Sequence, residues 1–366
     1  MRRWFFILVI NLLLFPVLAG AQERVVDATN NTPISAASIM DVEGNVVGFT
    51  LYDGTFPEIS ESSYPITVRC IGYEQLVIKR PRGKSWEMKP MVYELEEVVI
   101  SPVRRNVLKQ TFYAREYFSF TTKSDTVTIF VEHMADRFIP IGKDAKFGGS
   151  SSLRLLDSRS YARYKVLDRD SVAMEEKSTV PTILSVLEPN DDAVTAPESF
   201  KSGDAVKYYE ESGKSGIAVI QKQNTQVFTT IEDALAGKKE HSASPWILKL
   251  LGMTLDIKQL YVTHAYRTNA EGVYLPEDLI ENGFVMEADG RGKLFRKIVE
   301  SDEPVLIRSM LEMYVVDRER LTKDEAKEQY KNQPTNVKYL IPSTVPALNA
   351  ATRKMVERAI AEVKKQ

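Results

Sequence analysis

A short Ser-Gly-Lys-Ser run is the feature of this sequence closest to a nucleotide-binding motif. Ser212-Gly213-Lys214-Ser215 is similar to the end of a phosphate-binding loop, Gly-x4-Gly-Lys-Ser, but Tyr208 stands where the motif requires its first glycine. A strand-like pattern follows the run, so a bound phosphate would find no helix N-terminus. We therefore interpret these residues as a hairpin turn and predict no cofactor.

The residue types that ligate metals are few and scattered. His133, His241 and His264 have neither a His-Glu-x-x-His nor a His-x-His spacing, and His133 and His264 lie in strand patterns. The single cysteine, Cys70, excludes a disulfide framework and a cysteine-rich metal site. The sequence predicts no metal site, and we interpret Cys70 as a small core residue.

Nucleophiles and carboxylates show no specific catalytic pattern either. Ser150-Ser151-Ser152 lacks the Gly-x-Ser-x-Gly turn that presents a nucleophile in many hydrolases. Acidic pairs such as Glu175-Glu176 could act as acid and base in a glycosidase, but neighbouring residues of a strand face opposite sides. We predict no catalytic residue and a protein that is not an enzyme. A hydrolase with an unrecognised site is the competing hypothesis.

Aromatic residues are densest in one short stretch that follows residue 111. The five candidate residues there are Phe112, Tyr113, Tyr117, Phe118 and Phe120. Such a cluster could line a groove for a ligand or for a strand of a partner. The alternative is that these aromatic side chains pack in the core, as the first element of a C-terminal domain.

The first 21 residues have the pattern of a secretory signal peptide. Arg2 and Arg3 precede an uncharged apolar run, and Ala19-Gly20-Ala21 forms an Ala-x-Ala cleavage site. The run is about as long as a short membrane span, so an uncleaved anchor is the alternative. We expect export to the periplasm, with peripheral attachment to the outer membrane as a variant, and no transmembrane segment after cleavage.

Length and charge exclude further classes of protein. The 366 residues suffice for about two domains. The 48 basic and 50 acidic residues give a net charge of −2, and removing Arg2 and Arg3 with the signal leaves 46 against 50, or −4. A dedicated nucleic-acid binder needs a basic surface, so nucleic acid is not an expected partner.

Residues 22–97 contain short alternating segments separated by turn residues. Residues 38–42, 46–51 and 66–71 alternate apolar and polar side chains, and Asp53-Gly54 and Gly72-Tyr73 mark turns. Strands at this spacing are typical of a small β-sandwich. The pattern therefore predicts a compact all-β domain.

The same segment resembles the carboxypeptidase-like regulatory domain. The resemblance rests on Val25-Val26-Asp27-Ala28-Thr29, Thr32-Pro33-Ile34, Asp53-Gly54-Thr55-Phe56, Ile71-Gly72-Tyr73-Glu74 and the exit Leu95-Glu96-Glu97-Val98-Val99-Ile100. It implies a non-catalytic, seven-stranded transthyretin-like sandwich, of the kind that precedes the plug of TonB-dependent transporters. The glycine that usually opens the motif is replaced near Glu23, and no plug pattern follows, so we do not expect the chain to be the transporter itself.

Residues 98–106 are interpreted as a linker, because Pro102 interrupts strand pairing and two arginines follow it. Residues 107–366 then mix strand patterns with a few helix signals. The strand candidates are residues 126–132, 161–167, 216–220, 260–266, 283–287, 294–299 and 305–314.

Helix signals in this second part are local. Thr322-x-x-Glu325 predicts a capping box for a helix to Tyr330, and an apolar stripe over residues 348–363 predicts a C-terminal helix. Ser244-Pro245-Trp246 and Thr230 predict two further helix starts. Many strands with few helices predict an α+β domain with an antiparallel sheet, and hence a multidomain protein.

Three functions from different classes are compatible with these patterns. The favoured hypothesis is a non-enzymatic envelope protein whose sandwich mediates protein interaction, while the C-terminal domain binds or braces an envelope partner. It predicts an exposed sheet edge or apolar patch. A periplasmic carrier of a hydrophobic ligand predicts an apolar cavity, and a hydrolase predicts convergent carboxylates or a histidine beside a nucleophile.

Overall fold

The fold is known from a computed structural model. It describes residues 23–81, 85–92, 105–141, 153–178, 194–195, 217–222, 225–232, 253–267, 273–332, 334 and 337–365. These residues form mostly β-structure with few helices, and their sheets are antiparallel apart from one pair of strands. A β-rich antiparallel fold is therefore confirmed.

Residues 23–92, hereafter the N-terminal region, contain two small sheets. Strands β3, β2, β4 and β5 form an antiparallel four-stranded sheet in that order, and β1 pairs with β6 in parallel. The strands are β1 (Arg24–Asp27), β2 (Ser38–Met40), β3 (Val46–Phe49), β4 (Ile66–Arg69), β5 (Leu76–Ile78) and β6 (Ser85–Met88). Val25, Ile39, Ile66 and Tyr73 pack between them as the local core.

A nine-stranded antiparallel sheet, hereafter the large sheet, dominates the rest. Its order is β10-β9-β8-β7-β17-β16-β14-β13-β12, while the short β11 and β15 pair separately. The strands are β7 (Val107–Thr121), β8 (Thr126–Pro140), β9 (Leu153–Val166), β10 (Arg169–Glu175), β11 (Val194–Thr195), β12 (Ile217–Lys222), β13 (Thr225–Glu232), β14 (Met253–Arg267), β15 (Val273–Tyr274), β16 (Leu279–Gly292) and β17 (Val305–Leu321).

The central strands are longer than the sequence pattern indicates, because they are covered on both faces. β7 is buried over nearly its whole length. A strand buried on both sides loses the apolar-polar alternation that marks its ends. We call the side of Tyr113 and Tyr117 the outer face and the side of Phe112 and Phe118 the inner face.

Three helices of the described residues complete the fold, namely α1 (Lys293–Val299), α2 (Lys323–Lys331) and α3 (Ala350–Val363). The capping box of α2 is confirmed, since Thr322 and Glu325 each bond the backbone N–H of the other. The C-terminal helix is also confirmed, and Asn349 caps its first turn by accepting from Thr352 N at 2.7 Å.

Two predictions about local structure are wrong. Residues 294–299 form helix α1 instead of a strand, because Gly292 leaves the strand conformation at φ 126° and Phe295 and Val299 pack at helical spacing. Thr230 lies inside β13 and does not cap a helix. Strand pairing with β14 from Thr225 to Glu232 decides its conformation.

Several predictions lie outside the described residues. They concern the signal segment 1–21, most of the linker 98–106, the Ser212-Gly213-Lys214-Ser215 run, Ser150-Ser151-Ser152, His241 and the helix expected after Ser244. The described linker residue Arg105 donates from Nη1 to Arg320 O at 2.8 Å.

Candidate functional site

The five aromatic candidates lie on one strand but point to opposite faces of the large sheet. Tyr113 and Tyr117 lie on the outer face, and Phe112, Phe118 and Phe120 lie on the inner face. All five are at most 7% exposed, and they belong to four different apolar clusters. They do not line one common groove, and their burial agrees with the alternative that they form core.

Tyr117 instead takes part in a buried contact between the N-terminal region and the large sheet. Arg69, at the end of β4, donates from Nη1 to the Tyr117 hydroxyl at 2.8 Å. Its Nη2 lies 2.6 Å from Glu312 Oε2, and both side chains are at most 6% exposed. Gly72 N adds a bond to Glu281 Oε2 at 3.3 Å. Buried charged and polar groups therefore attach the N-terminal region to the large sheet of the same chain.

Electrostatics keep this contact in one protonation state. Burial alone would lower the pKa of Arg69, but Glu312 and the hydroxyls of Tyr117 and Tyr314 hold it above its ordinary value. Burial raises the pKa of Tyr117. Arg69 therefore stays charged and Tyr117 stays neutral at any ordinary pH, which suits a permanent contact better than a switch.

Apolar packing surrounds the ionic contact. Met40, Val46 and Phe49 of the N-terminal region share one cluster with Tyr117 of the large sheet and with Met355 of α3. Val46 N also donates to Ser119 Oγ at 2.8 Å. The N-terminal region, the large sheet and α3 therefore bury parts of one another. An open surface can form at the rim of this junction.

A groove with a volume of about 950 Å³, hereafter the apolar groove, opens at that rim. Three parts of the chain form its walls: the N-terminal region at residues 74–75 and 91–92, the ends of β14, β16 and β17, and segment 340–347 before α3, which contains a turn at residues 343–345. Val92 is 84% exposed, Leu340 44% and Ile341 53%. Exposure of such large apolar side chains to water is energetically unfavourable, and an exposed apolar patch of this kind is typical of a binding surface.

The charges of the apolar groove are mainly positive. Arg267 and Arg318 line it against one acid, Glu74. Arg318 also donates to Leu279 O, which holds its guanidinium at the start of β16. Asp278 lies close to both arginines, and burial raises the pKa of its carboxyl while the arginines oppose that rise. The groove thus offers apolar surface with an excess of one positive charge.

The inner face brings a histidine and a carboxylate together. His133 Nε2 lies 3.3 Å from Glu116 Oε1, and both side chains are at most 1% exposed. Ser158 stands opposite His133 on the neighbouring strand, but neither ring nitrogen of His133 has a hydrogen-bond partner. The described residues therefore show no nucleophile bonded to His133, as acyl-transfer chemistry would require.

The second inner-face histidine is held neutral. Burial, together with the charge of Arg137, lowers the pKa of His264 to about 4. Arg137 lies on β8, four strands away from β14 in the sheet order. Asn282, directly opposite His264, is fully buried without a hydrogen-bond partner at its side-chain amide.

The remaining features from the sequence are Cys70, the metal-ligating residue types and the possibility of a membrane span. Cys70 follows β4 and is half-buried, with Sγ 4.0 Å from Ser35 O. Among the described residues, no three histidine, cysteine or acidic side chains are grouped as metal ligands. In the same residues no helix is long and apolar enough to cross a membrane.

Sequence reasoning missed the apolar groove, because its walls come from three distant parts of the chain. The available signal is Leu340-Ile341-Pro342, an apolar pair before a proline that belongs to no periodic pattern. In the comparisons with known proteins, no protein-family model and no curated protein matches this chain. The functional argument therefore depends on geometry.

Proposed function

We propose that this protein is a non-enzymatic protein of the cell envelope that binds a partner protein in the apolar groove. The observation that carries the proposal is the exposed apolar surface of Val92, Leu340 and Ile341 at the groove rim. Solvent-exposed apolar patches of this kind are typical of protein interaction sites. The signal-like residues 1–21 support export to the periplasm.

The proposed partner presents an extended segment with apolar side chains and at least one carboxylate. The apolar side chains would replace water at Val92 and Ile341, and the carboxylate would face Arg267 and Arg318. An arginine fork binds a carboxylate with two parallel hydrogen bonds, which would fix the position of the segment.

In this proposal the N-terminal region is a carboxypeptidase-like regulatory sandwich spanning residues 22–97, followed by a linker and a C-terminal α+β domain. Two small packed sheets and a buried Tyr73 support it, although six described strands stand against the seven that the resemblance implies. The sandwich contacts the large sheet of its own chain through Arg69 and Glu312. Its role would be to build one wall of the groove.

Site-specific photo-crosslinking in cells tests the proposal. A photoreactive side chain at position 341 should capture one envelope protein through a segment that contains carboxylates. The same probe at Tyr52, which is 55% exposed in the turn after β3 and lines neither the apolar groove nor β10, is the matched control. Arg267→Glu should reduce the crosslink at position 341 several-fold by repelling the carboxylate.

Native mass spectrometry of the protein from its own envelope separates the alternatives. A retained mass of lipid size that Ile341→Asp abolishes would replace the protein partner with a hydrophobic ligand, as the carrier hypothesis predicts. Equal crosslinking from positions 341 and 52, unaffected by Arg267→Glu, would contradict a specific groove.

A further inference from the structure

We propose that two copies of this chain associate by antiparallel pairing of their β10 strands, which joins the two large sheets edge to edge. β10 is the terminal strand of the large sheet in the described part of the chain. Five of its seven residues are exposed, and only Val172 and Met174 are half-buried. This surface shares no residue with the apolar groove.

The first support is the length and exposure of the strand. Terminal strands are usually short or distorted, because an exposed row of backbone N–H and C=O groups pairs readily with another strand. β10 instead runs for seven residues in unbroken register with β9, from Arg169 opposite Val166 to Glu175 opposite Ser160. Among the described residues no strand pairs with the other edge of β10, so this edge can accept a partner strand of seven residues.

The second support is the self-complementary order of the charges on β10. When two copies of the strand pair antiparallel about Val172, Arg169 of each copy stands opposite Glu175 of the other. Asp170 then faces Met174, and Ser171 faces Ala173. Two opposite-charge pairs at the ends stabilise this register, as cross-strand ion pairs do in sheets.

Neighbouring registers lack this complementarity. Residues on one face of a sheet can only meet residues on the same face, so the next registers are centred on Ser171 or Ala173. Centring on Ala173 would set Arg169 against Lys177 and Asp170 against Glu176. Centring on Ser171 would leave Arg169 opposite Ala173. The charges thus select the register centred on Val172.

Helix α3 gives the paired edge an apolar backing. It packs across β10 and β9, where Val172 and Met174 contact its cluster with Met355. Arg358 of α3 also lies 3.3 Å from Asp170. Pairing about Val172 would bring the two half-buried Val172 side chains together on this face and remove both from water.

Disulfide trapping tests the register. Val172→Cys places the new thiol on the two-fold axis, where directly opposite residues have Cα separations compatible with a disulfide. We expect a covalent dimer under mild oxidation. Ala173→Cys is the matched control, because its two copies would stand one position off the axis and beyond disulfide reach. The unmodified chain controls for Cys70.

Charge exchange tests the cause of association. We expect native mass spectrometry to show a dimer that Arg169→Glu weakens about tenfold or more, and that Arg169→Glu with Glu175→Arg restores. Arg169 also lies 2.6 Å from Glu300 of its own chain, so Glu300→Gln separates that local contact from the intermolecular one. A chain that stays monomeric at all concentrations, or equal trapping by Val172→Cys and Ala173→Cys, would overturn the proposal.

Discussion

At the scale of single residues, the decisive feature is a charge pair buried between the N-terminal region and the large sheet. Arg69 and Glu312 are both nearly without solvent exposure. A buried pair contributes little net stability relative to apolar residues, but removing one partner leaves the other charge uncompensated. The pair therefore contributes more to the specificity of this contact than to the free energy that holds it together.

Arg69→Met is expected to lower the free energy of unfolding by about 3–5 kcal/mol, because Glu312 would remain buried without its partner. Arg69→Met combined with Glu312→Leu should recover most of the loss. Urea unfolding followed by circular dichroism measures both. Arg296→Met breaks the exposed pair with Asp302 and should cost less than about 1 kcal/mol. A similar cost for both arginines would contradict the buried role of Arg69.

A second residue-scale prediction concerns Glu132 on the outer face. Burial raises the pKa of this carboxyl, although Arg115 and Arg159 oppose the rise. A carboxyl whose pKa is higher in the folded state binds its proton more tightly there, so the free energy of unfolding falls as pH rises through that pKa. The contribution is present at low pH and is lost above the ordinary carboxyl range.

Glu132→Gln should therefore make the free energy of unfolding less dependent on pH between about pH 4 and pH 7. The amide keeps an oxygen that can accept from the Tyr113 hydroxyl, which lies 3.4 Å from Glu132 Oε1. Urea unfolding at several pH values gives the slope. The same change at exposed Glu357 of α3 is the control, and an unchanged slope in Glu132→Gln would contradict the prediction.

At the scale of elements, one glycine sets how closely β16 approaches the N-terminal region. A Cβ added at Gly283 would lie 2.5 Å from Ile71 Cγ1, which is closer than carbon atoms can pack. Gly283 stands opposite Glu312 on β17, beside the buried ion pair. The absence of a side chain thus lets the two parts of the chain meet at that point.

Gly283→Ala is expected to cost about 1–3 kcal/mol by overpacking against Ile71. Ile71→Ala alone should also destabilise, since it leaves a cavity. In the double variant the alanine at 283 finds room, so the two costs should sum to more than the measured loss. Simple additivity in this cycle would show that the residues do not contact.

At the scale of the whole molecule, the N-terminal region and the large sheet share a core. One apolar cluster contains Met40 and Phe49 from the former and Tyr117 and Met310 from the latter, with Met355 of α3. Elements that bury each other lose their core together when either one opens. The molecule should therefore unfold as one cooperative unit.

Hydrogen exchange with mass spectrometry checks this expectation. The most protected amides of β2 and β4 should exchange in the same opening event as those of β7 and β8. Arg69→Met should raise both exchange rates in proportion. Separate openings, with the N-terminal strands exchanging while β7 and β8 stay protected, would show two independent units.

The sequence by itself determined the elements whose signals are local. Alternation located the strands around residues 38–40, 46–49 and 66–69, the Thr322 cap marked where α2 begins, and the apolar stripe over residues 348–363 located α3. These signals depend on residues within one turn or one strand, so no distant contact was needed to interpret them. The strand prediction for residues 294–299 was wrong because these six apolar and basic residues fit the periodicity of a strand and that of a helix. Packing against the large sheet stabilises the helix.

Only the tertiary structure decided which surfaces are covered and which stay open. The five aromatic residues of β7 lie within nine positions, yet the pleat of the strand places them on two faces, and the N-terminal region buries part of the set. The apolar groove joins residues separated by up to about 270 positions, and β10 is the terminal strand of the large sheet only through the order in which the described strands pair. Burial is a property of the assembled layers, because a side chain's solvent exposure depends on neighbours that its own sequence position does not specify.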